Sequence, residues 1–456
     1  MLPLEFIPDS GDTAWVLTSA ALVFVMTPGL AFFYGGMVRA KGALNMMMMS
    51  FIAIGTIGVL WVLVGFSMAF GEDVGGGLLG NPFQYFALNN LFGPEASSGT
   101  LPALAFVGFQ AAFAIIATAL VSGAIADRAS FGGWTLFTIF WGLLVYFPAA
   151  HWVFDFAGLT DDTGYTTATP GWIANLGVYD FAGGTAIHIN AGISALALAI
   201  VLGKRIGFGS KPMRPHNLTL VMLGAALLWF GWFGFNAGSA VAGNGLAAFA
   251  WVNTLGATAA AMIGWLIVEK IRDGHPTSLG AASGIVAGLV AITPSCSTVE
   301  PWAGLVIGLV AGVLCAFAVG LKYKLGYDDS LDVVGVHLVG GLIGTLLIGF
   351  FASPNTPGIG DGIGLFYGGG FEQLGKQAIG AFAVLIYAFI VSFIIAWVIK
   401  KTIGWRVDSA IELSGIDLAE HGEIGYDLSP VYYSSRVQRS LVLTADDMAE
   451  AQKKGA

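Results

Sequence analysis

Long apolar stretches alternate with short polar loops along most of this chain. A membrane-spanning helix needs about 20 mostly apolar residues. The stretches are apolar at both odd and even positions, so they do not have the alternation of a transmembrane β-barrel. The pattern predicts eleven transmembrane helices, near residues 13–36, 43–70, 103–126, 132–157, 179–202, 217–240, 247–269, 278–293, 301–321, 332–352 and 377–399.

The basic residues predict how these helices are oriented. Lysine and arginine collect on the cytoplasmic side of membrane proteins. If the N-terminus is outside, every basic residue except Lys376 falls in an inner loop, at the inner end of the last span, or in the tail. The chain is therefore predicted to be an all-α integral membrane protein with its N-terminus outside and its C-terminus inside.

Composition agrees with this fold class and divides the chain into two parts. Only 10% of the residues are charged and 56% are hydrophobic, whereas about a quarter of the residues of a soluble domain are charged. Residues 1–401 are predicted to form a transmembrane domain, and the polar residues 402–456 a cytoplasmic tail. The net charge of -9 comes with no nucleic-acid-binding pattern, so no nucleic-acid partner is expected.

Two histidines lie at membrane depth, where ionisable groups are costly and often functional. His188 is in the fifth predicted span and His337 in the tenth, and small residues surround both. Two imidazoles in facing spans could share an N–H···N hydrogen bond. Each could instead be a core residue with satisfied hydrogen bonds. A metal site would need a third or fourth protein ligand, and we expect none.

Asp180 precedes His188 by eight residues and has two possible roles. It could cap the fifth span by accepting hydrogen bonds from the free N–H groups of the first turn. It could also place a fixed negative charge at the entrance and favour a cation there.

Aromatic residues recur at helical spacing in two spans. Phe109 and Phe113 are four residues apart, so they share a helix face. Trp232, Phe235 and Ser239 share another. Single aromatics of this kind often only pack or face lipid. Together with a hydroxyl, however, they can bind a small cation through cation–π attraction of about 0.5–2 kcal/mol per ring.

Five long motifs and a tail motif resemble the ammonium transporter (Amt/Mep/Rh) family, in its bacterial Amt-type form. The motifs are PGLAFFYGG in the first span, FQAAFA in the third, DFAGGTAIHINAG in the fifth, GWFGFNAGSA in the sixth, DVVGVHLVGG in the tenth, and GIDLAEHGEIGY at 415–426. They cover nearly the whole chain in order.

The resemblance implies a homotrimer in which each subunit has its own pore. It also implies two inverted five-helix halves, about 13–202 and 217–352, followed by a final helix at about 377–399. One histidine falls in each half. The residues themselves show only a weak internal repeat. An aspartate precedes each histidine, Asp180 in the first half and Asp332 in the second, but at different spacings.

The resemblance also assigns roles to single residues. Phe154 stands where bacterial members often have a tryptophan, and its ring attracts cations more weakly. The implied sites are the pore and proton relay His188 and His337; the outer recruitment site Ser239, Phe109, Phe154 and Asp180; the gate Phe113 and Phe235; and the pore wall Trp232.

The implied activity is transport and not catalysis, in the cytoplasmic membrane and without a cofactor. Ammonium would bind outside, lose its proton and cross as ammonia, and the histidines would relay the proton. An ammonium sensor that signals through its tail and an Rh-like neutral gas channel are the alternatives. The tail motif resembles a docking segment for PII-type signalling proteins, with Gly415, Asp417, His421, Gly422, Glu423 and Tyr426 as its candidate residues.

Overall fold

Eleven apolar helices make up most of the computed structural model, which describes residues 6–426. Two short helices of the tail follow them. These thirteen helices are α1 Ser10–Met37, α2 Ala40–Phe70, α3 Ala103–Ile125, α4 Phe131–Phe154, α5 Gly184–Leu202, α6 Leu218–Gly238, α7 Gly245–Arg272, α8 Ser278–Ile292, α9 Pro301–Leu325, α10 Val334–Phe351, α11 Glu372–Thr402, α12 Ser409–Ser414 and α13 Ile416–His421. A four-residue helix, Trp172–Asn175, and two 3-10 turns, Phe86–Leu88 and Leu365–Tyr367, lie in the loops.

Within residues 6–426, ten helices are long and apolar enough to cross a membrane. The all-α membrane class is therefore confirmed, and a helix lies near each of the eleven predicted spans. Helix α8 has only 15 residues, which is about 22 Å of helix. The count of eleven crossings, with its inside and outside ends, thus stays a prediction.

The helix ends differ most from the predicted ones around the two histidines. Helix α5 begins at Gly184, five residues later than predicted, because Gly183 has a φ of 115°. Asp332, where the tenth span was predicted to begin, has a φ of 64° and lies just before α10. These left-handed conformations cannot continue a right-handed helix. Helix α4 ends at Phe154, so the predicted end at 157 is also too late.

Both histidines lie in π-helical turns at the start of their helices. These turns are Gly184–Ile189 in α5 and Val334–Leu338 in α10. A π-turn inserts an extra residue per turn and is frequent at functional sites. Hydrophobic periodicity does not reveal it, because the insertion shifts the helix face by one residue only.

Close helix packing depends on small residues in several places. Helix α9 lies against α7 at Gly308 and Gly312, where an added Cβ would come within 2.0 and 2.1 Å of the carbonyl oxygens of Ala257 and Ala261. Only glycine permits this approach, as expected where lipid provides no hydrophobic force between helices.

A small sheet covers the predicted outer side near α3 and α4. Its two-residue strands are β1 Ser97–Ser98, β2 Leu101–Pro102 and β3 Leu159–Thr160. They pair antiparallel in the order β2-β1-β3. The sheet joins the loop after α2 to the loop after α4, and so fixes the rim of the cavity described next.

Candidate pore

A cavity of about 410 Å³ opens at one end of α3, α4 and α6. We call it the vestibule. Aromatic side chains dominate its lining, together with a few polar groups. The lining includes Phe106, Phe109, Phe113, Phe154, Asp155, Phe156, Gln110 and Ser239. Ser239 donates its hydroxyl hydrogen to the Phe235 carbonyl oxygen at 2.7 Å, so its oxygen keeps lone pairs that can accept from a bound cation.

Two stacked phenylalanine rings close the floor of the vestibule. The ring centroids of Phe113 and Phe235 are 4.3 Å apart, with planes inclined by 26°. Phe109 packs edge-on against Phe113, with centroids 4.7 Å apart. Phe113 and Phe235 are 1% and 0% exposed. A hydrated ion cannot pass unless these rings move.

His188 and His337 meet beyond the stacked rings. Their Nδ1 atoms are 3.3 Å apart, so one Nδ1–H donates to the other and the two rings must be opposite tautomers. They border a cavity of about 10 Å³ that is otherwise lined by Trp232, by Phe33 and Phe235, and by aliphatic side chains. That volume is about one water-sized molecule. His188 Nε2 has no hydrogen-bond partner among residues 6–426.

Trp232 fixes the orientation of one histidine. Its indole ring stacks on His188, with centroids 5.3 Å apart and planes inclined by 18°. Its Nε1–H donates to Thr293 Oγ1 at 2.8 Å. This bond holds the indole plane, and the indole plane in turn holds the imidazole.

Asp180 caps α5 and is not among the residues that line the vestibule. Its Oδ1 accepts from the N–H groups of Gly183 and Gly184, and its Oδ2 from those of Thr185 and Ala186. The predicted capping role is therefore confirmed. The other three predicted recruitment residues, Phe109, Phe154 and Ser239, do line one cavity.

The counterpart of Asp180 in the second half is Asp329. Asp329 accepts from the N–H groups of Val333 and Val334 at the start of α10. It precedes His337 by eight residues, as Asp180 precedes His188. The match predicted between Asp180 and Asp332 is wrong, because Asp332 instead forms an ion pair with Lys322 at 2.6 Å. The equal spacing was readable in the sequence and was missed because Asp332 lies nearer the helix.

Sequence reasoning also missed a buried charge network just beyond the ends of α3 and α5. Arg205 contacts both oxygens of Asp328, at 2.9 and 2.8 Å. Arg128 is 0% exposed and donates to the Asp328 carbonyl oxygen and to Ser330. Burial opposes the charge of Asp328, but Arg205 and Arg128 hold its pKa below the usual value. The distribution of basic residues along the sequence uses these arginines only to orient the helices in the membrane.

The tail docks on the helix ends of this same side. Asp417 accepts from the N–H groups of Leu44 and Asn45 at the start of α2. His421 Nε2 lies 3.0 Å from Asn45 Oδ1, and Tyr426 Oη lies 2.9 Å from His216 Nε2.

Among the other candidates of the tail motif, Gly415 has a φ of 121° and packs on Lys41, Gly422 has a φ of 69°, and Glu423 is exposed. The tail residues 427–456 lie outside the described residues.

Asp155 is a vestibule residue that sequence reasoning did not select. It follows Phe154 directly, is 3% exposed, and lines the vestibule. The available signal was an acidic residue next to Phe154, an aromatic residue of the predicted recruitment site, but the predicted span extended past it to 157.

Within residues 6–426, no group of three or more His, Cys, Asp or Glu could hold a metal ion.

Comparison with known proteins identifies the family of this chain. The model of the Ammonium Transporter Family matches residues 14–426. An ammonium transporter of Mycobacterium bovis is 60% identical over 447 residues, which is 94% of this chain and 92% of that protein. One of Bacillus subtilis is 44% identical over 421 residues, covering 91% and 98%.

Solved structures extend the likeness to the fold. Saccharomyces cerevisiae Mep2 superimposes with a TM-score of 0.81 at 33% identity, covering 93% of each chain. A structure described as a sensor Amt protein gives a TM-score of 0.81 at 31% identity, covering 90% of this chain and 98% of that one. This multi-pass membrane protein belongs to the ammonium transporter family.

Proposed function

We propose that the protein recruits ammonium at the vestibule, removes its proton, and conducts ammonia past the paired histidines, with the proton relayed separately. One observation carries this proposal. An open aromatic vestibule, a stacked ring pair, and a cavity of about 10 Å³ bordered by two hydrogen-bonded imidazoles follow one another. The vestibule suits a cation, whereas the small cavity suits a neutral molecule.

Selectivity follows from the apolar lumen. Ammonium and potassium have similar sizes, so a pore cannot separate them by diameter. A potassium filter replaces the water around the ion with rings of carbonyl oxygens. The cavity below Phe113 and Phe235 instead presents rings and aliphatic side chains. Ammonium can cross there because it can give up a proton, and potassium cannot.

The histidine pair provides a route for the released proton. Each imidazole has one nitrogen in the shared bond and a second nitrogen outside it. A proton taken up at one outer nitrogen can pass through the shared bond, so that a different proton leaves from the partner ring. Transport would then carry net charge.

Current measurement on proteoliposomes tests this function. We expect an ammonium gradient to drive a transient current, and an equal potassium gradient to drive none. An Rh-like neutral channel would change the pH inside the liposomes without producing a current. A pure sensor would give neither signal. Either of the last two results would contradict the proposed mechanism.

We further propose that the protein is a homotrimer in the cytoplasmic membrane and that its tail binds a PII-type protein. Asp417 supports the regulatory part, because its carboxylate joins the tail to the first turn of α2. A partner that pulls on the tail would therefore act on a pore-domain helix. Light scattering of the purified protein tests the trimer, and binding of a purified PII-type protein to the intact chain tests the partner.

A further inference from the structure

We propose that Asp155 is a second recruitment element of the vestibule, where its carboxylate attracts ammonium and compensates for the weaker ring of Phe154. The inference rests on the proposed function, since it concerns how the same vestibule gathers its substrate. It differs from the recruitment predicted from sequence, which relied on aromatic rings, Ser239 and Asp180.

The Asp155 carboxylate lies in the wall of the vestibule. Asp155 lines the vestibule between Phe154 and Phe156 and is only 3% exposed. Its Oδ1 accepts from Ala157 N–H at 2.9 Å. Its Oδ2 lies 3.3 Å from His151 Nδ1 but has no hydrogen-bond partner among residues 6–426. A carboxylate oxygen without a donor, buried in the wall of a vestibule, is stabilised when a cation binds nearby.

The backbone holds this carboxylate in place. Gly171 N–H donates to the Asp155 carbonyl oxygen at 2.9 Å, and the N–H of Ala157 holds the side chain. His151 lies beneath it, 0% exposed, with its Nδ1 3.0 Å from the Ala69 carbonyl oxygen and its Nε2 3.2 Å from Asp73 Oδ1. Asp155 therefore keeps its place at the vestibule without swinging out to bulk water.

The charges around the vestibule favour a cation. Among the described residues that line it, Asp155 is the one with a formal charge, and no Lys or Arg is present. Burial raises the pKa of Asp155, hydrogen bonding from Ala157 opposes this, and the nearby carboxylates of Glu72 and Asp73 raise it further, to about 7. The carboxylate is thus partly charged at pH 7 and mostly charged above it, and an approaching ammonium ion would favour the charged form further.

The identity of the neighbouring residue explains why a charge is useful here. A phenylalanine ring attracts a cation less than the tryptophan that the resemblance leads one to expect at position 154. One carboxylate beside a water-filled vestibule can restore affinity on the order of three- to tenfold. Such a contribution differs from that of a ring because salt screens it.

The test compares Asp155→Asn with the native protein by ammonium-driven current in proteoliposomes. Asparagine keeps the oxygen that accepts from Ala157 and loses the charge. We expect the ammonium concentration at half-maximal current to rise about three- to tenfold, while the maximal current stays unchanged. Adding Phe154→Trp to this variant should recover part of the affinity. Asp162→Asn, which removes an acid outside the vestibule lining, is the matched control.

Ionic strength provides a readout that needs no variant. An inert salt should raise the half-saturating ammonium concentration of the native protein, and should do so much less in Asp155→Asn. Equal affinity of the two proteins, or an effect confined to the maximal current, would overturn the role of Asp155 while leaving the transport function standing. Absence of any ammonium current in the native protein would overturn both.

Discussion

Asp180→Asn should destabilise the protein and greatly lower its ammonium current. Each oxygen of the Asp180 carboxylate accepts from two backbone N–H groups at the start of α5. An asparagine has only one acceptor oxygen. Its amide nitrogen would face the N–H groups of Thr185 and Ala186, which are buried and would lose their acceptor.

The size of the effect follows from the two lost bonds. A hydrogen bond to a charged group contributes about 1.5–3 kcal/mol, so two of them contribute about 3–6 kcal/mol. Removing a buried charge returns part of this free energy. A net loss of roughly 2–4 kcal/mol remains. The current falls as well, because the turn that loses its cap, Gly184–Ile189, carries His188.

The assay combines the denaturation temperature in detergent with the current in proteoliposomes. Asp161→Asn is the control, because Asp161 is also buried and receives its three hydrogen bonds on a single oxygen, which asparagine retains. We expect the control to change little. If Asp180→Asn kept the native denaturation temperature and current, the carboxylate would not be what holds this helix start in place.

Four further outcomes are expected. His188→Ala and His337→Ala should each greatly lower the current, and the double variant should be little worse than either; mild, additive losses would mean that the rings only pack. Phe154→Trp should leave ammonium affinity unchanged or tighten it up to roughly fivefold, and a large loss in folded protein would place this residue outside the site. Deletion after Gly404 should leave insertion and assembly intact, lower or uncouple flux, and abolish binding of a PII-type protein; native flux with retained binding would contradict this. Because the pKa of Asp155 is raised to about 7, its charge is lost as pH falls through 7, so ammonium affinity should rise between pH 6 and 8 in the native protein and much less in Asp155→Asn.

Hydropathy located the helices because residues that face lipid and residues that pack in the protein core are both apolar. It placed all eleven helices within a few residues, including the start of α9 at Pro301 and the end of α2 at Phe70. It failed at the start of α5, where Asp180–Gly183 is apolar enough to look like a span. The break there comes from the left-handed Gly183, and hydropathy contains no information about backbone dihedral angles.

The contacts between aromatic side chains could be predicted because helical spacing fixes which side chains share a face. Phe109 with Phe113, and Trp232 with Phe235, are such pairs. Contacts between distant segments could not be predicted in this way. The proximity of Asp155 to His151 could have been suggested by their four-residue spacing, but the approach of Asp73 depends on how the loop after α2 folds back. The same holds for Asp417 and α2, which are separated by more than 370 residues.

The starts of α5 and α10 have the same arrangement of aspartate, histidine and glycine. An aspartate stands eight residues before each histidine and a glycine four residues after it, as Asp180, His188 and Gly192 in one half and Asp329, His337 and Gly341 in the other. The contacts are reciprocal. A Cβ on Gly192 would meet Leu338 N at 2.4 Å, and one on Gly341 would meet the Gly184 carbonyl oxygen at 3.0 Å.

This reciprocity explains how two imidazoles can come within 3.3 Å of each other at membrane depth. Each aspartate fixes where a helix begins, each π-turn directs a histidine toward the other helix, and each glycine lets the backbones approach. An alanine at either glycine would push the two helices apart, since packed cores absorb little added volume. The shared N–H···N bond would lengthen, and with it the step that the proposed proton relay requires. The close approach of the histidines is therefore a property of backbone packing as much as of the two rings.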